Sequence, residues 1–421
     1  MGAADGYDEA AYDTTRAGER ADRVARSRGV SRRRVLQMLA AVPPLLAIDG
    51  WRPAAAQTAP APTIVKPLPP EWFNVLGTNA EMRWDALLGQ GFTVPNERFF
   101  VRNHTSTPTI DAQTWRLQVF GSGLRRAEGI ELTYRDLRRM RSRTITEAVE
   151  CAGNGRRFFG DQQGTPVAGS QWRLGAVGVA RWRGVPLADV LDRAGIRRSA
   201  VDVLPEGLDA TVVSGGVDQG HVRRPLPVGK ALDDVLVAYE MNGEPLPPDH
   251  GFPVRLVVPG WVGIASIKWL GRIEVADHPL FSFWNTTQYR MTGPTYPPDS
   301  PPLGVQPVKS AFELPWDAVV PVGRRRVLHG RSWSGAAPIR RVDVSLDEGT
   351  TWRPAHLHPH DLGRAWTRWT VPWTPGPGDA GSHRLIARAT DRTGTTQPAT
   401  VPFNDGGYQF WAAVHHPVTV T

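Results

Sequence analysis

The stretch ECAGNGRRF, residues 150–158, contains the only cysteine of the 421-residue chain and is the starting point for interpreting the rest of the sequence. A lone cysteine cannot form a disulfide within its own chain, so Cys151 is either a small buried hydrophobe or a reactive group. Two glycines and two arginines follow it within this stretch. A thiolate in such a positive field is a soft ligand that suits a metal or an anionic reactant. The stretch alone leaves both interpretations open.

The composition is typical of an ordered globular protein with a positive surface. The chain has 41% hydrophobic and 21% charged residues, sixteen tryptophans and a formal net charge of +8. Its length is sufficient for two domains with separate cores. Because it contains no dense basic run, we expect a cationic cleft for a small anion and no nucleic-acid partner.

Residues 1–56 have the pattern of an export signal. The run SRRRVLQ at residues 31–37 is a twin-arginine signature, and an apolar stretch follows at residues 38–48. Three alanines at residues 54–56 provide a cleavage site. The apolar stretch is too short for a stable membrane anchor, and the alternative is a disordered basic tail. We therefore expect export by the twin-arginine route to a periplasmic or other extracytoplasmic location.

A Pro- and Ala-rich linker is expected at residues 57–71, and the catalytic domain is expected at residues 72–300. The patterns within that domain predict strands at residues 114–120 and 254–258, a helix at 133–141 that begins after a Thr133 cap, and a helix at 185–194 that ends before Gly195. This mixture has no regular alternation of strand and helix. It predicts an α+β fold.

The second domain is expected at residues 301–421, after a connector with six prolines between residues 294 and 307. Apolar and polar residues alternate at residues 342–346, and similar short strands are expected at 366–373 and 383–390. Short strands at this spacing predict an all-β, immunoglobulin-like sandwich.

Two more polar clusters could bind a ligand. The run FFVRNH at residues 99–104 combines Arg, Asn and His, although in isolation a strand ending in a solvated polar turn explains it better. Residues 249–269 place His, Arg and Lys among glycine-rich turns whose backbone can approach a phosphate or a pterin closely. This segment has neither nucleotide-binding glycine pattern, so a nucleotide site is not expected.

Taken together, these segments resemble the sulfite oxidase family of molybdenum enzymes, in its bacterial, haem-free sulfite dehydrogenase form. The resemblance covers about residues 72–421. It implies an α+β molybdopterin-binding domain of the sulfite oxidase fold, followed by an immunoglobulin-like dimerisation domain. The segments that carry it are FVRNH at 100–104, ECAGN at 150–154, AYEMNG at 238–243 through KWLG at 268–271, WNTTQY at 284–289, PIRRV at 338–342 and GRAW at 363–366.

The resemblance also implies the active-site residues. Cys151 would bind molybdenum of the molybdopterin cofactor, with Tyr289 beside it. Gln288 precedes Tyr289 where animal members commonly have an aspartate, which puts a proton relay at that position in doubt. The residues implied around the substrate are Arg102, Arg156 or its neighbour Arg157, Arg364, and Trp172. The residues implied to hold the cofactor are Phe100, Val101, Arg102, Asn103, His104, Asp218, His250, Arg255, Ser266, Ile267 and Lys268.

The implied reaction is oxidation of sulfite to sulfate by oxo transfer at molybdenum, in a homodimer. No C-x-x-C-H haem motif is present, so electrons are expected to pass to an external acceptor such as a c-type cytochrome. Oxidation of carrier-bound sulfur and reduction of methionine sulfoxide are alternatives within the family, and nitrate reduction is a weaker one. A non-enzymatic, immunoglobulin-like surface protein is an alternative from another class, but it leaves Cys151 and the arginines unexplained.

Overall fold

The computed structural model of the protein describes residues 63–358 and 365–421. The export signal expected at residues 1–56 and the substrate arginine expected at Arg364 lie outside this part of the chain. No helix within these residues is both long enough and apolar enough to cross a bilayer.

The first domain consists of short strands separated by short helices. Its strands are β1 Phe73–Leu76, β2 Asn79–Met82, β3 Arg116–Phe120, β4 Ile130–Thr133, β5 Arg143–Glu150, β6 Val177–Pro186, β7 Asp202–Gly207, β8 Val213–Ser214, β9 Val217–Asp218, β10 Leu226–Pro227, β11 Leu236–Met241, β12 Glu244–Pro245, β13 Arg255–Val257 and β14 Leu270–Ala276. Its α-helices are α1 Tyr134–Arg139, α2 Arg157–Asp161, α3 Leu187–Ala194, α4 Val228–Asp233 and α5 Phe283–Thr286. Short 3-10 helices lie at Trp84–Leu87, Asn96–Arg98, Pro248–His250 and Gly263–Ala265.

Two larger sheets organise this domain. One has the order β10-β7-β14-β3-β4, and its β14 and β3 run parallel, with Ile273 opposite Val119. The other has the order β12-β11-β6-β5, and β13 also pairs with β11. The pairs β1-β2 and β8-β9 are separate hairpins. Mixed sheets with short helices confirm the predicted α+β class.

The structure reproduces the Thr133 cap and the Gly195 stop, but the second helix begins at Leu187 and not at residue 185, because residues 185 and 186 still belong to β6. Thr133 caps α1, because its hydroxyl accepts from the Asp136 backbone N–H at 3.0 Å while the Asp136 carboxylate accepts from the Thr133 N–H at 3.0 Å. Helix α3 ends at its Gly195 cap, as predicted. Its buried residues recur at the three- and four-residue spacing of a single helix face, at Leu187, Val190, Leu191 and Ala194.

The second domain is all-β, as expected. Its strands are β15 Lys309–Phe312, β16 Ala318–Val320, β17 Arg326–Trp333, β18 Ile339–Ser345, β19 Arg353–Pro354, β20 His356–His358, β21 Thr367–Trp373, β22 Gly381–Asp391 and β23 His415–Val420. They form two sheets in the orders β15-β17-β21-β20 and β16-β23-β22-β18-β19. Apolar residues of both sheets, including Trp369 and Leu385, form one core. The finer assignment of an immunoglobulin-like module stays a prediction.

A buried ion pair joins the two domains next to the cysteine. Glu150, the last residue of β5, lies 2.8 Å from the Lys309 ammonium of β15, and both side chains are almost fully buried. The indole N–H of Trp333 donates to the other Glu150 oxygen at 3.0 Å. The Lys309 ammonium also donates to the Asn154 carbonyl at 2.7 Å. The second domain therefore holds both ends of the turn that contains Cys151.

The buried carboxyl group of Glu81 makes stability depend on pH. Glu81 lies in β2 and is 2% exposed. It accepts hydrogen bonds from the Asn74 amide at 3.1 Å and from the Arg173 backbone N–H at 2.8 Å. Burial nevertheless raises the pKa of Glu81 from 4.5 to about 7. The folded chain binds more protons than the unfolded chain between these values, so its stability falls as pH rises through this window.

We expect Glu81→Gln to remove this dependence. Between pH ~4.5 and ~7.5 the free energy of unfolding of the parent should fall by about 1–3 kcal/mol relative to that of the variant. Urea unfolding at both pH values, followed by tryptophan fluorescence, measures the difference. Glu131→Gln is the control, because the Glu131 side chain is 63% exposed and its loss should leave the parental behaviour. An equal pH dependence in Glu81→Gln and the parent contradicts the prediction.

Candidate active site

Two adjoining cavities meet at Cys151. The first, which we call the inner cavity, measures about 730 Å³ including its opening to solvent and lies in the first domain. The second, the outer cavity, measures about 1330 Å³ including its open mouth and is lined by residues of both domains. The residues that line both cavities are Arg102, His104, Cys151 and Tyr289.

The turn that carries Cys151 is held by its backbone. Strand β5 ends at Glu150, and the Cys151 N–H donates to the Ala176 carbonyl at 2.9 Å. The Asn154 N–H donates to the Cys151 carbonyl at 2.9 Å. The thiol of this partly buried residue is therefore free of any role in holding the turn, and it lies at the junction of the two cavities.

Most of the residues expected to hold the cofactor line the inner cavity. They are Phe100, Arg102, His104, His250, Arg255, Ser266, Ile267 and Lys268. Val101 and Asn103 lie behind its wall: Val101 exchanges two backbone hydrogen bonds with Ala80, and Asn103 accepts from the Lys268 ammonium through its side chain. These two residues support the wall and do not line either cavity.

Asp218 lines neither cavity. It is exposed on strand β9, and its carboxylate accepts from the backbone N–H of Gly220 at 2.8 Å within its own hairpin. Asp209 is the carboxylate that lines the inner cavity instead. Burial raises the pKa of Asp209 to about 6. The resemblance implied Asp218, and the burial that separates it from Asp209 cannot be read from the sequence.

Cationic groups in the inner cavity are buried at high electrostatic cost. Desolvation by burial lowers the pKa of Arg255 to about 9. It also holds the pKa of Lys268 well below its usual range, and the Arg255 charge adds to the effect. The pKa of His250 is likewise held well below its usual value, by burial and by the charge of Lys66, so its imidazole is neutral. A bound anion would relieve this penalty.

Residues of the expected linker also contribute to this region. The backbone N–H groups of Val65 and Lys66 donate to the Asp249 carboxylate at 3.0 and 2.8 Å. The Lys66 ammonium lies 3.5 Å from Nε2 of His250, and desolvation lowers its pKa to about 7. Residues 63–66 are therefore packed against the first domain rather than forming a free connector. Composition alone gave no signal for this contact.

The donor set of the inner cavity suits an anionic ligand with a hydrogen-bonding ring. Lys268 donates to the Asp249 carbonyl at 2.8 Å and to Asn103. Within the described part of the chain, one of its three ammonium N–H groups therefore remains for a ligand. Asp209 has a buried carboxylate oxygen without a hydrogen-bond partner among the described residues. Such an oxygen can accept from an N–H group of a ligand.

Arg156 lies in the outer cavity, whereas Arg157 faces solvent. The Arg156 guanidinium donates to the Gly406 carbonyl at 2.8 and 3.1 Å and to the Ser170 carbonyl at 3.2 Å. Among the described residues, three of its five N–H groups are thus used, and two remain for an oxyanion. Arg157 instead pairs with Asp161 at 2.6 Å on the exposed side of α2. This geometry favours Arg156 as the substrate arginine.

The wall around Arg156 is shaped to fit its side chain. A Cβ atom at Gly153 would lie 2.8 Å from Nη2 of Arg156, so a side chain at this position would displace the guanidinium. The indole of Trp172 is fully buried and forms another part of the wall of the outer cavity.

Tyr289 and His104 form a neutral pair at the junction of the cavities. Nε2 of His104 lies 3.1 Å from the Tyr289 hydroxyl. Burial raises the pKa of Tyr289 well above its usual value, so its phenol stays protonated. Burial and the Arg102 charge hold the pKa of His104 well below its usual value. The pair can therefore hold and exchange one proton without carrying a net charge.

Comparison with known proteins connects this geometry to a family. Residues 104–284 match the model of the oxidoreductase molybdopterin-binding domain, and residues 305–416 match that of the Mo-co oxidoreductase dimerisation domain. Sulfite oxidase of Gallus gallus is 39% identical over 333 residues, which cover 75% of this chain and 70% of that protein. Mitochondrial sulfite oxidase of Rattus norvegicus is 36% identical over 332 residues, and the chain spans 59% of its length.

A solved structure shows the same architecture. The sulfane dehydrogenase SoxCD from Paracoccus pantotrophus aligns with a TM-score of 0.69 and 28% identity, over 89% of this chain and 94% of that one. The chain therefore belongs to the sulfite oxidase family of molybdopterin-binding oxidoreductases.

The residues present fit the molybdopterin cofactor of this family. The buried cations of the inner cavity match an anionic phosphate, and the unpartnered Asp209 oxygen matches the N–H edge of a pterin. The Cys151 thiol at the junction is a soft ligand of the kind that molybdenum with sulfur ligands accepts. Lys66, Asp209 and Asp249 extend the set of residues identified from the sequence.

Proposed function

We propose that the protein oxidises sulfite to sulfate. The observation that carries this proposal is the position of Arg102 and Arg156 in one cavity that reaches Cys151 and Tyr289. Sulfite is a small dianion, and guanidinium groups with free N–H donors are suited to such an oxyanion. The balanced reaction converts sulfite and water into sulfate, two protons and two electrons.

The side chains divide the work between binding and proton handling. The bound molybdenum centre would supply oxygen-atom transfer and accept the two electrons. Arg102 and the two free N–H groups of Arg156 would bind the sulfite oxygens and leave the sulfur lone pair directed toward Cys151. The phenol of Tyr289 would donate a hydrogen bond at the reacting oxygen, with the neutral imidazole of His104 behind it. Trp172 would exclude water from one side of the cavity.

Oxidation of carrier-bound sulfur is a second candidate. The likeness to SoxCD, whose name describes a sulfane dehydrogenase, supports it. The mouth of the outer cavity is lined by the exposed Val213 of the β8-β9 hairpin, and such an opening could admit a substrate tethered to a carrier. The outer sulfur of such a substrate carries no oxyanion oxygens for the two arginines to hold, which is why sulfite is the first candidate.

Electrons would leave to an external acceptor, and we propose a c-type cytochrome. Export by the twin-arginine route, on the basis of residues 31–37, would place the enzyme in the same compartment as such cytochromes.

Turnover by the purified, molybdenum-loaded protein with ferricyanide as acceptor tests the proposal. Sulfite is expected to be oxidised at a much higher kcat/KM than thiosulfate. Methionine sulfoxide, assayed with a reduced dye, is expected to react weakly. Sulfite oxidation below that of thiosulfate would favour the second candidate, and dominant methionine sulfoxide reduction would refute both.

A homodimer formed by the second domain is expected. Its family model describes a dimerisation domain, and the edge strand β16 exposes Val319. Light scattering at micromolar concentration should give about twice the mass of the mature chain. Val319→Lys should leave the fold intact and shift the mass toward the monomer if this edge lies in the interface. A monomeric mass for the parent would contradict the prediction.

A further inference from the structure

A loop of the second domain, residues 404–409, reaches across to the outer cavity. Asp405, Gly406 and Tyr408 of this loop line that cavity. Buried Asn404 closes the loop, because its side-chain amide donates to the Tyr408 carbonyl at 2.9 Å and accepts from the Tyr408 N–H at 2.8 Å. At its other end the Gln409 N–H donates to the Ala152 carbonyl at 2.7 Å, directly after the cysteine. The loop is therefore fixed at both ends.

The backbone of this loop supports Arg156. The Gly406 carbonyl accepts two of the three hydrogen bonds described for the Arg156 guanidinium. A Cβ atom at Gly407 would lie 2.7 Å from Cγ of Arg156, so the close approach of loop and side chain requires glycine there. The position of Arg156 thus depends on a segment about 250 residues away in the chain.

The side chain of Tyr408 contacts three groups of the active site. Its ring stacks on the Tyr289 ring with centroids 5.2 Å apart and an interplanar angle of 20°. Its hydroxyl donates to the Gln288 amide oxygen at 2.7 Å. The Arg156 guanidinium lies 5.6 Å from its ring centroid. A single side chain therefore touches the phenol, the residue before it and the substrate arginine.

Tyr289 needs such support because of its backbone conformation. Its φ of 58° lies in the left-handed region, which a bulky residue adopts only when its surroundings hold it there. The Leu303 N–H donates to the Tyr289 carbonyl at 2.8 Å and fixes the backbone. The Tyr408 ring covers one face of the phenol. A fixed ring keeps the hydroxyl within reach of His104.

We propose that Tyr408 is a positioning residue, through which the second domain fixes the Tyr289 phenol and the Arg156 guanidinium relative to each other. This inference rests on the proposed oxyanion chemistry of the outer cavity. It also explains Gln288. A neutral amide accepts the Tyr408 hydrogen bond without adding a negative charge beside an anionic substrate, so this position has a structural role and no proton to exchange.

Two substitutions separate the contributions of the ring and the hydroxyl. Tyr408→Leu keeps apolar bulk but loses the stack, the cation–π contact and the hydrogen bond, and should lower kcat/KM for sulfite by about 10- to 50-fold. Tyr408→Phe keeps the ring stack but loses the hydrogen bond, and should lower kcat/KM for sulfite by about 2- to 10-fold. Tyr296→Phe is the matched control, because Tyr296 lines neither cavity, and it should retain the parental constants.

Two further measurements distinguish positioning from a general loss of structure. In Tyr408→Leu the loss should appear in kcat as well as in KM, because a displaced Tyr289 phenol slows the reaction while a displaced Arg156 guanidinium weakens binding. In the loaded protein, calorimetric titration with sulfate should show affinity weakened at least about fivefold in Tyr408→Leu and less than about twofold in Tyr408→Phe. The unfolding temperature of Tyr408→Phe confirms that its fold is intact.

The outcomes separate this inference from the proposed function. Parental sulfate affinity, kcat and KM in both Tyr408 variants would overturn the inference. A parent that fails to oxidise sulfite, together with weakened sulfate binding in Tyr408→Leu, would refute the function and support the positioning role. If Tyr408→Leu does not fold, an unchanged kcat/KM and sulfate affinity in folded Tyr408→Phe would still overturn the inference.

Discussion

Cys151→Ser should abolish sulfite oxidation and leave a folded protein. The thiol lies at the junction of the two cavities, and the turn around it is held by backbone hydrogen bonds to Ala176 and Asn154 that a serine preserves. A serine oxygen is a harder donor than a thiolate and matches molybdenum less well. Loss of a residue that only hydrogen-bonds to a metal ligand lowers activity by about 10- to 100-fold. Loss of the ligand itself should lower it further.

Steady-state kinetics measure the loss of sulfite oxidation, and elemental analysis measures the molybdenum content of the same samples. Circular dichroism and the urea midpoint should stay close to those of the parent, since the thiol takes no part in the turn. Cys151→Ala is the companion variant, and it should show the same loss without introducing an oxygen ligand. Activity of Cys151→Ser near the parental level would rule out this residue as the ligand.

Arg102→Gln should raise KM for sulfite by about 10- to 100-fold. Loss of a charge-assisted, bidentate contact costs about 1.5–3 kcal/mol, which corresponds to that factor when the contact forms with the bound substrate. Arg102 lines both cavities. Its charge also lowers the pKa of His104, so some loss of kcat is expected as well. Arg102→Lys keeps the charge but lacks the planar fork, so its KM should lie between those of Arg102→Gln and the parent.

Salt provides an independent test of the same charge. Sulfite binding by the parent should weaken as ionic strength rises, because a cationic cavity open to solvent is screened, and Arg102→Gln should respond less. Arg157→Gln is the matched control, since this arginine pairs with Asp161 at the surface and should leave KM unchanged. If Arg102→Gln keeps the parental constants at both low and high salt, Arg102 has no role in binding the substrate.

Local signals account for what the sequence predicted well. The Thr133 cap and the Gly195 stop each depend on residues within one turn of the chain, and the structure reproduces both. Resemblance to the family identified Arg102 and Arg156, and the structure brings both to the outer cavity with Cys151. The sequence does not show whether Arg156 or Arg157 reaches the substrate, because the answer depends on which of the two side chains points to solvent. The structure shows that Arg157 does, where it pairs with Asp161.

Long-range contacts account for what was missed. Lys66 reaches His250 across 184 positions, and Tyr408 reaches Gln288 across 120. No local spacing signals such approaches. Asp209 was missed because the resemblance implied Asp218, and the burial that separates the two aspartates cannot be read from the sequence.

The ion pair between Glu150 and Lys309 limits how this chain can be divided. Glu150 is a buried carboxylate whose counter-ion and indole partner both come from the other domain. Breaking such a pair costs about 3–5 kcal/mol, a large part of the 5–15 kcal/mol that stabilises a typical domain. The two domains are therefore not interchangeable modules. A replacement second domain without a cation and an indole donor at these two places would leave Glu150 buried and unpaired, so the residue beside the cysteine constrains how this architecture can change.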